Sequence, residues 1–372
     1  MQQNSPSISV MRTPRSVDLE ITSRCNLRCK YCYFFDNPEV NYQELPTGEW
    51  LEFIDELGQC SVMDVCLAGG EPFIRKDLPD LIEAIVKNRM RFSILSNGTL
   101  ITDAIAEFIA ETKRCDSVQV SIDGSCAEVH ESGRGKGSFS KAVQGIRILK
   151  KHYIPVTVRM TIHRHNVHDL ENTARFLLEE LELLEFSTNA VGYVGSCQKN
   201  SSDLMLTVKD RELAMKTLAR LSSKYDDRII AAAGPLADFR CWERMERAHK
   251  SREPKFDNGG YLTGCGCTWE KITVRADGVL VPCSMLAHMQ LGRINNDSLI
   301  KTWQQSQKLM QIRQRNTVSL SDFEFCKNCS FIPYCTGNCP ALAYNLTGQV
   351  NQPSPDACLQ KYLADGGRLP VF

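Results

Sequence analysis

The chain carries the segment Cys25-Asn26-Leu27-Arg28-Cys29-Lys30-Tyr31-Cys32, in which three cysteines with the spacing C-x3-C-x2-C follow a strand-like stretch. No fourth cysteine or histidine lies in the same loop. A structural zinc ion is normally enclosed by four protein ligands. A [4Fe–4S] cluster held by three thiolates keeps one iron open to another molecule. The segment therefore predicts such a cluster, and the alternative is a zinc site completed from elsewhere in the chain.

Around this segment the sequence alternates between strand-like and helix-like stretches. Apolar and β-branched runs predict six strands at residues 17–21, 62–67, 92–95, 117–122, 154–162 and 183–188. Helical spacing of apolar residues between these runs predicts parallel strands joined by right-handed crossovers. In a (β/α) barrel, the loops that follow the strands converge at the carboxyl end and hold the active site.

Polar, glycine-containing segments occur where three of the predicted strands end. Gly69-Gly70-Glu71-Pro72 follows the second strand, Ser96-Asn97-Gly98 the third and Ser121-Ile122-Asp123-Gly124 the fourth. Glycines let the backbone approach a ligand closely, although each segment alone is also typical of an ordinary turn. The histidine run from His163 to His168 follows the fifth strand, and we interpret it as a solvated loop without a ligand role.

A second group of cysteines lies in the last third of the chain. Its members are Cys265, Cys267, Cys283, Cys326, Cys329, Cys335, Cys339 and Cys358. From Cys326 to Cys339 the spacing is C-x2-C-x5-C-x3-C, and Gly278-x4-Cys283 precedes it. Residues 272–281 are typical of a β-hairpin with an Asp-Gly turn, which would bring Cys265 and Cys283 together. A fold with two zinc ions is the alternative, because zinc and iron–sulfur sites share thiolate ligands.

These motifs together resemble the radical S-adenosylmethionine (SAM) superfamily with a C-terminal SPASM domain. Among its members the chain looks most like the radical SAM/SPASM peptide maturases of the SynChlorMet gene cassettes. The resemblance implies an α/β fold: a partial (β/α)6 barrel at residues 16–200, a helical bridge at 201–260 and a cysteine-rich SPASM domain at 261–372. Residues 1–15 are expected to form a disordered lead-in.

The resemblance implies a SAM site at the first cysteine motif. Cys25, Cys29 and Cys32 would hold a [4Fe–4S] cluster whose open iron binds the amine and carboxylate of SAM. The further residues expected to bind the cofactor are Tyr31, Gly69, Gly70, Glu71, Pro72, Ser96, Asn97, Ser121, Asp123 and Arg134. Glu71 would stabilise the SAM ammonium group, and Arg134 would pair with the SAM carboxylate.

The resemblance also implies two auxiliary [4Fe–4S] clusters with interleaved ligands. One cluster, here called the far cluster, would be held by Cys326, Cys329, Cys335 and Cys358. The other, the near cluster, would be held by Cys265, Cys283 and Cys339. It would be completed by Cys267 or Cys241, or it would keep an open iron.

Composition restricts the compartment and the partners. The 372 residues include 44 Lys and Arg and 44 Asp and Glu, so the overall charge favours neither nucleic acid nor an anionic membrane. The longest apolar runs, such as 229–233, are too short to span a bilayer. The N-terminal segment lacks the apolar region of a secretion signal. We therefore expect a cytoplasmic protein whose 17 cysteines bind clusters more than they form disulfides.

The expected activity follows from the resemblance. SAM cleavage would generate a 5′-deoxyadenosyl radical that abstracts hydrogen, and the auxiliary clusters would accept an electron. SPASM enzymes mostly modify ribosomal peptides or proteins. The first hypothesis is therefore a maturase that oxidatively cross-links side chains of a small precursor peptide, with an electron donor such as flavodoxin or ferredoxin. Only about fifteen residues precede the first strand, so a separate leader-binding protein is a possible partner.

Other functions stay open at the level of sequence. Sulfatase maturases carry an aspartate directly after the cysteine that corresponds to Cys283, and here that position is Ser284, which counts against formylglycine formation. The alternatives are a SAM-dependent dehydrogenase or other oxidative enzyme acting on a small molecule, a sulfatase-maturase-like enzyme, and a non-catalytic scaffold that binds zinc or clusters.

Overall fold

The protein is built around one ten-stranded sheet. The computed structural model describes residues 10–38, 40–263 and 265–370, without the side chain of Cys267. The strands are β1 (Ser16–Thr22), β2 (Asp64–Gly69), β3 (Arg91–Ser96), β4 (Cys115–Ser121), β5 (Val156–Ile162), β6 (Phe186–Ala190), β7 (Ile229–Ala231), β8 (Lys271–Val274), β9 (Val279–Val281) and β10 (Gly292–Arg293). Their order across the sheet is β10-β9-β8-β1-β2-β3-β4-β5-β6-β7.

Helices connect the strands and cover the outer face of the sheet. They are α1 (Thr47–Gln59), α2 (Leu78–Lys87), α3 (Asp103–Thr112), α4 (Ala127–Arg134), α5 (Ser138–Lys151), α6 (Leu170–Arg175), α7 (Ser196–Lys199), α8 (Ser201–Leu204), α9 (Val208–Lys224), α10 (Pro235–Lys250), α11 (Cys267–Glu270), α12 (Leu299–Gln305), α13 (Gln307–Arg313), α14 (Pro340–Thr347) and α15 (Leu359–Ala364). A π-helical turn at Phe176–Glu180 extends α6. None of the described helices is both long and apolar enough to cross a membrane.

Side-chain alternation explains how the sheet is layered. In β1, Val17, Leu19 and Ile21 are fully buried in the main hydrophobic core, so Asp18 and Glu20 face the opposite, concave side of the sheet. All neighbouring pairs from β1 to β7 are parallel. The carboxyl ends of these strands therefore lie along one edge. This arrangement confirms the predicted α/β class and the six β–α repeats.

The segment predicted as a helical bridge contributes a strand as well as helices. α9 and α10 lie where the sequence predicts helices, but Ile229–Ala231 forms β7 and pairs in parallel with β6. The reason is the burial of Ile229, which is fully enclosed in the main core. A run of three residues is too short for its period to identify a strand.

The C-terminal part continues the same sheet. The predicted hairpin forms from β8 and β9, and β8 also pairs in parallel with β1. Ile272 and Val274 are fully buried in the same core as β1. The expected boundary near residue 261 therefore does not divide the hydrophobic core.

The last residues of the expected lead-in make defined contacts. Trp303 Nε1 donates a hydrogen bond to the carbonyl oxygen of Met11 (2.9 Å), and Gln304 Nε2 donates one to that of Arg12 (3.0 Å). Arg15 N donates to Glu270 O (2.8 Å). Residues 10–15 are thus held against the C-terminal part, whereas residues 1–9 lie outside the described residues.

Candidate functional site

The three-cysteine loop follows β1 and is fixed at both ends. At its start, Ser23 N donates a hydrogen bond to Glu44 Oε1 (2.7 Å). At its end, Ser196 N donates to Cys32 O (2.9 Å). The loop therefore has a defined path at the carboxyl edge of the sheet, where the predicted site residues also lie.

The thiols of Cys25, Cys29 and Cys32 are half-buried and close enough to influence one another. Burial raises the pKa of all three thiols, and that of Cys29 reaches about 12. The negative charge of Cys32 raises the pKa of Cys25 and Cys29 further. Three thiolates at this position thus require a positively charged partner, as an iron–sulfur core provides.

The spacing of these thiols matters for the kind of metal group they suit. No three His, Cys, Asp or Glu side chains among the described residues are grouped as around a single metal ion. A [4Fe–4S] cluster does not need such a group, because each thiolate binds a different iron. The loop therefore fits a cluster held at three of its irons.

Two glycines after β2 allow the cysteine loop to pass close by. A Cβ atom at Gly70 would overlap the carbonyl oxygen of Arg24 and would lie 3.2 Å from Cβ of Cys25. Gly69 has a φ of +122°, and a Cβ there would overlap the carbonyl oxygen of Thr22. Glycine is thus required at both positions by the packing of the two loops.

Glu71 is fully buried, and its carboxylate accepts hydrogen bonds from within the protein. The donors are Phe73 N (3.2 Å), Ser96 Oγ (2.8 Å) and Asn97 N (2.7 Å). Burial raises the pKa of Glu71 to about 7, and these donors oppose the rise. Asn97 Nδ2 in turn lies 3.7 Å from Cys25 Sγ. Glu71 therefore positions Ser96 and Asn97 beside the cluster loop, and its role toward the SAM ammonium group stays a prediction.

Asp123 and Arg134 form a buried ion pair beside Tyr31. Asp123 accepts hydrogen bonds from Arg134 Nε (2.5 Å), from the Tyr31 hydroxyl and from Thr161 N (2.8 Å). Burial alone would raise the pKa of Asp123, but the charges of Arg134 and His130 and the hydrogen bonds from Arg134 and Tyr31 together outweigh it, and the pKa is lowered. Arg134 is thus engaged with Asp123, and its pairing with the SAM carboxylate stays a prediction. Together these residues position the ring of Tyr31.

The concave face of the sheet forms a polar, partly open surface below these loops. Ser121 is half-buried near the end of β4 and lies in register with Arg159 of β5. Arg159 is exposed, and no carboxylate among the described residues pairs with it. Leu95 on β3 and Ile230 on β7 are 37% and 40% exposed. Pro72 is buried and begins a short 3-10 turn at Pro72–Ile74, directly after Glu71. Half-buried and exposed side chains, both polar and apolar, thus share this face of the sheet.

The histidine run differs from the expected solvated loop at its first residue. His163 is fully buried, and its ring centroid lies 5.5 Å from that of Tyr31. Burial lowers the pKa of His163 to about 4, so its ring is neutral at physiological pH. His165 pairs with Asp203 (2.9 Å) at the surface.

Sequence reasoning missed Glu20, which connects two cysteine loops. Its side chain is only 2% exposed and accepts a hydrogen bond from the Tyr33 hydroxyl (3.1 Å) and another from Ser284. Tyr33 follows Cys32, and Ser284 follows Cys283. Burial raises the pKa of Glu20 to about 7. The signal was present in β1, whose polar residues alternate with its core residues.

The four cysteines assigned to the far cluster lie together. Cys326, Cys329, Cys335 and Cys358 line one small cavity. Burial and the charges of the other three thiols together raise the pKa of Cys326 to about 12. Their arrangement fits the interleaved ligand set that the resemblance implies.

The three cysteines assigned to the near cluster also lie together. Burial raises the pKa of Cys339, and the charges of Cys265 and Cys283 add to this effect. Cys241 instead influences Cys335 and is exposed, which places it on the far-cluster side. The side chain of Cys267 lies outside the described residues, so its part in the near cluster stays a prediction.

Comparisons with known proteins match both halves of the chain. Residues 19–177 match the model of the radical SAM superfamily. Residues 265–330 match the SPASM model, described as an iron–sulfur cluster-binding domain. The two matched regions contain the cysteine loop after β1 and five of the eight cysteines of the second group.

Curated relatives cover nearly the whole chain. The PqqA peptide cyclase of Granulibacter bethesdensis is 26% identical over 95% of this chain and 89% of its own length. The Fe-coproporphyrin III synthase of Methanosarcina barkeri is 28% identical over 92% of this chain and 87% of its own. Among solved structures, Streptococcus suis SuiB bound to precursor peptide SuiA has a TM-score of 0.70 at 15% identity, covering 94% of this chain and 77% of SuiB. The likeness to SuiB concerns the fold.

Proposed function

Because the chain belongs to the radical SAM superfamily and carries a SPASM iron–sulfur domain, we propose that it oxidatively modifies a ribosomally made precursor peptide. Cross-linking of peptide side chains is the reaction we favour. The observation that carries this proposal is the near-full-length similarity to a PqqA peptide cyclase. The open polar surface beneath the cysteine loop offers room for a peptide segment.

The cofactors are SAM and [4Fe–4S] clusters, and we assign the cluster next to SAM to Cys25, Cys29 and Cys32. When bound, this pair supplies the reductive cleavage of SAM to a 5′-deoxyadenosyl radical that takes hydrogen from the substrate. Gly69 and Gly70 give the loop its close approach to the β2 edge.

Neighbouring side chains orient this site. Glu71 holds Asn97 against Cys25, and Asp123 holds Tyr31 and Arg134. The buried bonds of these residues keep their rotamers fixed, which is the protein's contribution to orienting a reactive cofactor.

The SPASM cysteines are proposed to hold the two auxiliary clusters. Cys326, Cys329, Cys335 and Cys358 would bind the far cluster, and Cys265, Cys283 and Cys339 the near one. A flavodoxin or ferredoxin is proposed as the electron donor, and a separate leader-binding protein as a further partner. The compartment we propose is the cytoplasm, where thiols stay reduced.

A second candidate function is oxidation of a small molecule that carries carboxylates. The similarity to an Fe-coproporphyrin III synthase favours this class. Arg159 on the concave face has no carboxylate partner among the described residues, and a guanidinium binds carboxylates well.

The first experiment measures 5′-deoxyadenosine under anaerobic reducing conditions. The wild type should form it from SAM, and the triple variant Cys25→Ala/Cys29→Ala/Cys32→Ala should not. The variant Cys126→Ala, which changes an exposed cysteine outside the three groups, should retain product formation. Persistent SAM cleavage in the triple variant would refute the cluster assignment, and its absence in the wild type would favour a scaffold.

The second experiment separates the two substrate classes. The protein is co-expressed with a short peptide encoded beside its gene, and the peptide is weighed by mass spectrometry. Loss of two hydrogens supports cross-linking. An unchanged peptide, together with turnover of porphyrin carboxylic acids by the purified enzyme, would replace the first candidate with the second.

A further inference from the structure

Arg315 is a fully buried arginine held by main-chain groups beside the near-cluster cysteines. It lies in a short 3-10 segment, Gln314–Thr317, that follows α13. Its Nε donates a hydrogen bond to Thr263 O (2.9 Å), and its Nη2 donates to Asn338 O (3.3 Å). Asn338 directly precedes Cys339 in the chain. The guanidinium is therefore fixed next to this predicted ligand.

The charge of Arg315 has no protein counterion among residues 10–38, 40–263 and 265–370. No carboxylate there forms an ion pair with it, and its Nη1 is buried without a hydrogen-bond partner. A buried cation without an anion is strongly unfavourable. Within the described part of the chain, Arg315 is thus a fixed, charged donor without a protein anion.

The missing anion matches what the near-cluster cysteines would hold. Burial lowers the pKa of Arg315 to about 10. Arg315 lies close enough to Cys339 for the negative charge of that thiolate to oppose this lowering. Cys265 and Cys283 in turn act on Cys339. A [4Fe–4S] core with its thiolates carries net negative charge.

We propose that Arg315 donates a hydrogen bond from Nη1 to the near auxiliary cluster and raises its reduction potential. The inference rests on the proposed assignment of that cluster to Cys265, Cys283 and Cys339. Reduction adds an electron to an anionic group, so a fixed positive charge stabilises the reduced form more than the oxidised form. Arg315 is thus a positioning and tuning residue, and it makes the near cluster the better electron acceptor.

Arg313 provides a matched control two residues away. It is also fully buried and bonded to main-chain carbonyls, through Nε to Thr268 O (2.8 Å) and Nη1 to Trp303 O (2.7 Å). Its guanidinium stacks over the Trp303 ring at 4.4 Å. Burial lowers its pKa to about 10, and none of the cysteine side chains that the structure describes acts on it. Replacing Arg313 removes a buried charge of the same kind without removing a donor to the cluster.

The test measures potentials in a background without the first cluster. In full-length protein carrying Cys25→Ala/Cys29→Ala/Cys32→Ala, iron is counted and the auxiliary clusters are titrated anaerobically by EPR. About eight irons per chain are expected for two [4Fe–4S] clusters. Lack of iron in this background would refute the proposed cluster assignment itself, separately from the role of Arg315.

The variants compared are Arg315→Gln, Arg315→Lys and Arg313→Gln. In Arg315→Gln, the reduction potential of one of the two auxiliary clusters should fall by at least about 59 mV. For a one-electron couple this is a tenfold decrease in the equilibrium constant for reduction. Arg315→Lys should shift less, and Arg313→Gln should leave both potentials near the wild type. Equal shifts in Arg313→Gln and Arg315→Gln, or no shift in Arg315→Gln, would overturn the proposal.

The lysine variant keeps the proposal testable if Arg315→Gln loses iron. Retention of about eight irons by Arg315→Lys, with both potentials close to those of the wild type, would support a role for the charge. Loss of the near cluster in Arg315→Lys as well would mean that the shape of the guanidinium alone is needed, and this would overturn the proposal.

Discussion

Asp123 is the residue on which several polar contacts around the cysteine loop converge. It is fully buried and binds Tyr31, Arg134 and Thr161. The sequence predicts Tyr31, Asp123 and Arg134 as separate contacts to SAM, because a single sequence shows which residues end a strand but not which of them pair across loops. The pairing depends on the closure of α4 over the end of β4, which is a tertiary effect.

Replacement of Asp123 should be costly for folding. Asp123→Asn keeps the shape of the side chain and leaves the Arg134 guanidinium without its buried counterion. We expect the free energy of unfolding to fall by about 3–5 kcal/mol, measured by chemical denaturation. Asp116→Asn is the control, since its ion pair with Arg91 is exposed and should cost less than about 1 kcal/mol. Equal effects of the two variants would contradict the prediction.

Glu20 should produce a pH-dependent loss of stability. Its pKa in the folded protein is raised to about 7 from 4.5, so between these values the folded state keeps a proton that the unfolded chain has lost. The free energy of unfolding therefore falls as pH rises through this window, by about 3 kcal/mol in total.

The variant Glu20→Gln tests this effect, because it should be more stable than the wild type above pH 7 and should lack the decline. Denaturation curves from pH 5 to 8 measure it. Glu171→Gln is the control, because Arg220 lowers the pKa of this exposed carboxylate and it stays ionised from pH 5 to 8. The decline of the unfolding free energy with pH should therefore be the same as in the wild type. If the free energy of unfolding of Glu20→Gln declined with pH as steeply as that of the wild type, this would count against a buried, protonated carboxyl at Glu20.

At the scale of elements, the loop after β2 packs so closely against the loop after β1 that a change in one disturbs the other. Gly70→Ala would force a Cβ against Arg24 O and Cys25. We expect loss of the first cluster, measured as about four fewer irons per chain, and loss of 5′-deoxyadenosine formation. Gly48→Ala in α1 is the control, because nothing lies within 4 Å of its added Cβ. Full iron content in Gly70→Ala would contradict the packing argument.

The elements that sequence predicts well are those with long apolar runs. The six predicted strands lie close to their expected places, and α9 and α10 lie within the expected helical bridge. α4 has no long apolar run: its residues include Gly133, and it buries the polar side chains of His130 and Arg134. The parallel pairing of β8 with β1 joins residues far apart in the chain, and no local pattern encodes it.

At the scale of the whole molecule, the continuous sheet should make the barrel and the SPASM domain unfold together. Ile272 and Trp303 belong to the same core as the barrel strands. Thermal unfolding followed by far-UV circular dichroism and by iron–sulfur absorbance near about 400 nm should therefore give coincident transitions. Loss of the absorbance well before the loss of secondary structure would show that the C-terminal part unfolds independently.

The position of β1 between β2 and β8 has a further consequence. β1 leads into the loop of Cys25, and β8 leads through β9 to Cys283, so main-chain pairing sets the spacing of the two regions proposed to hold iron–sulfur clusters. Such pairing does not depend on side-chain identity. Side chains on the face of the sheet opposite the core can therefore be remodelled for a new substrate while the separation of the two proposed cluster regions is inherited unchanged.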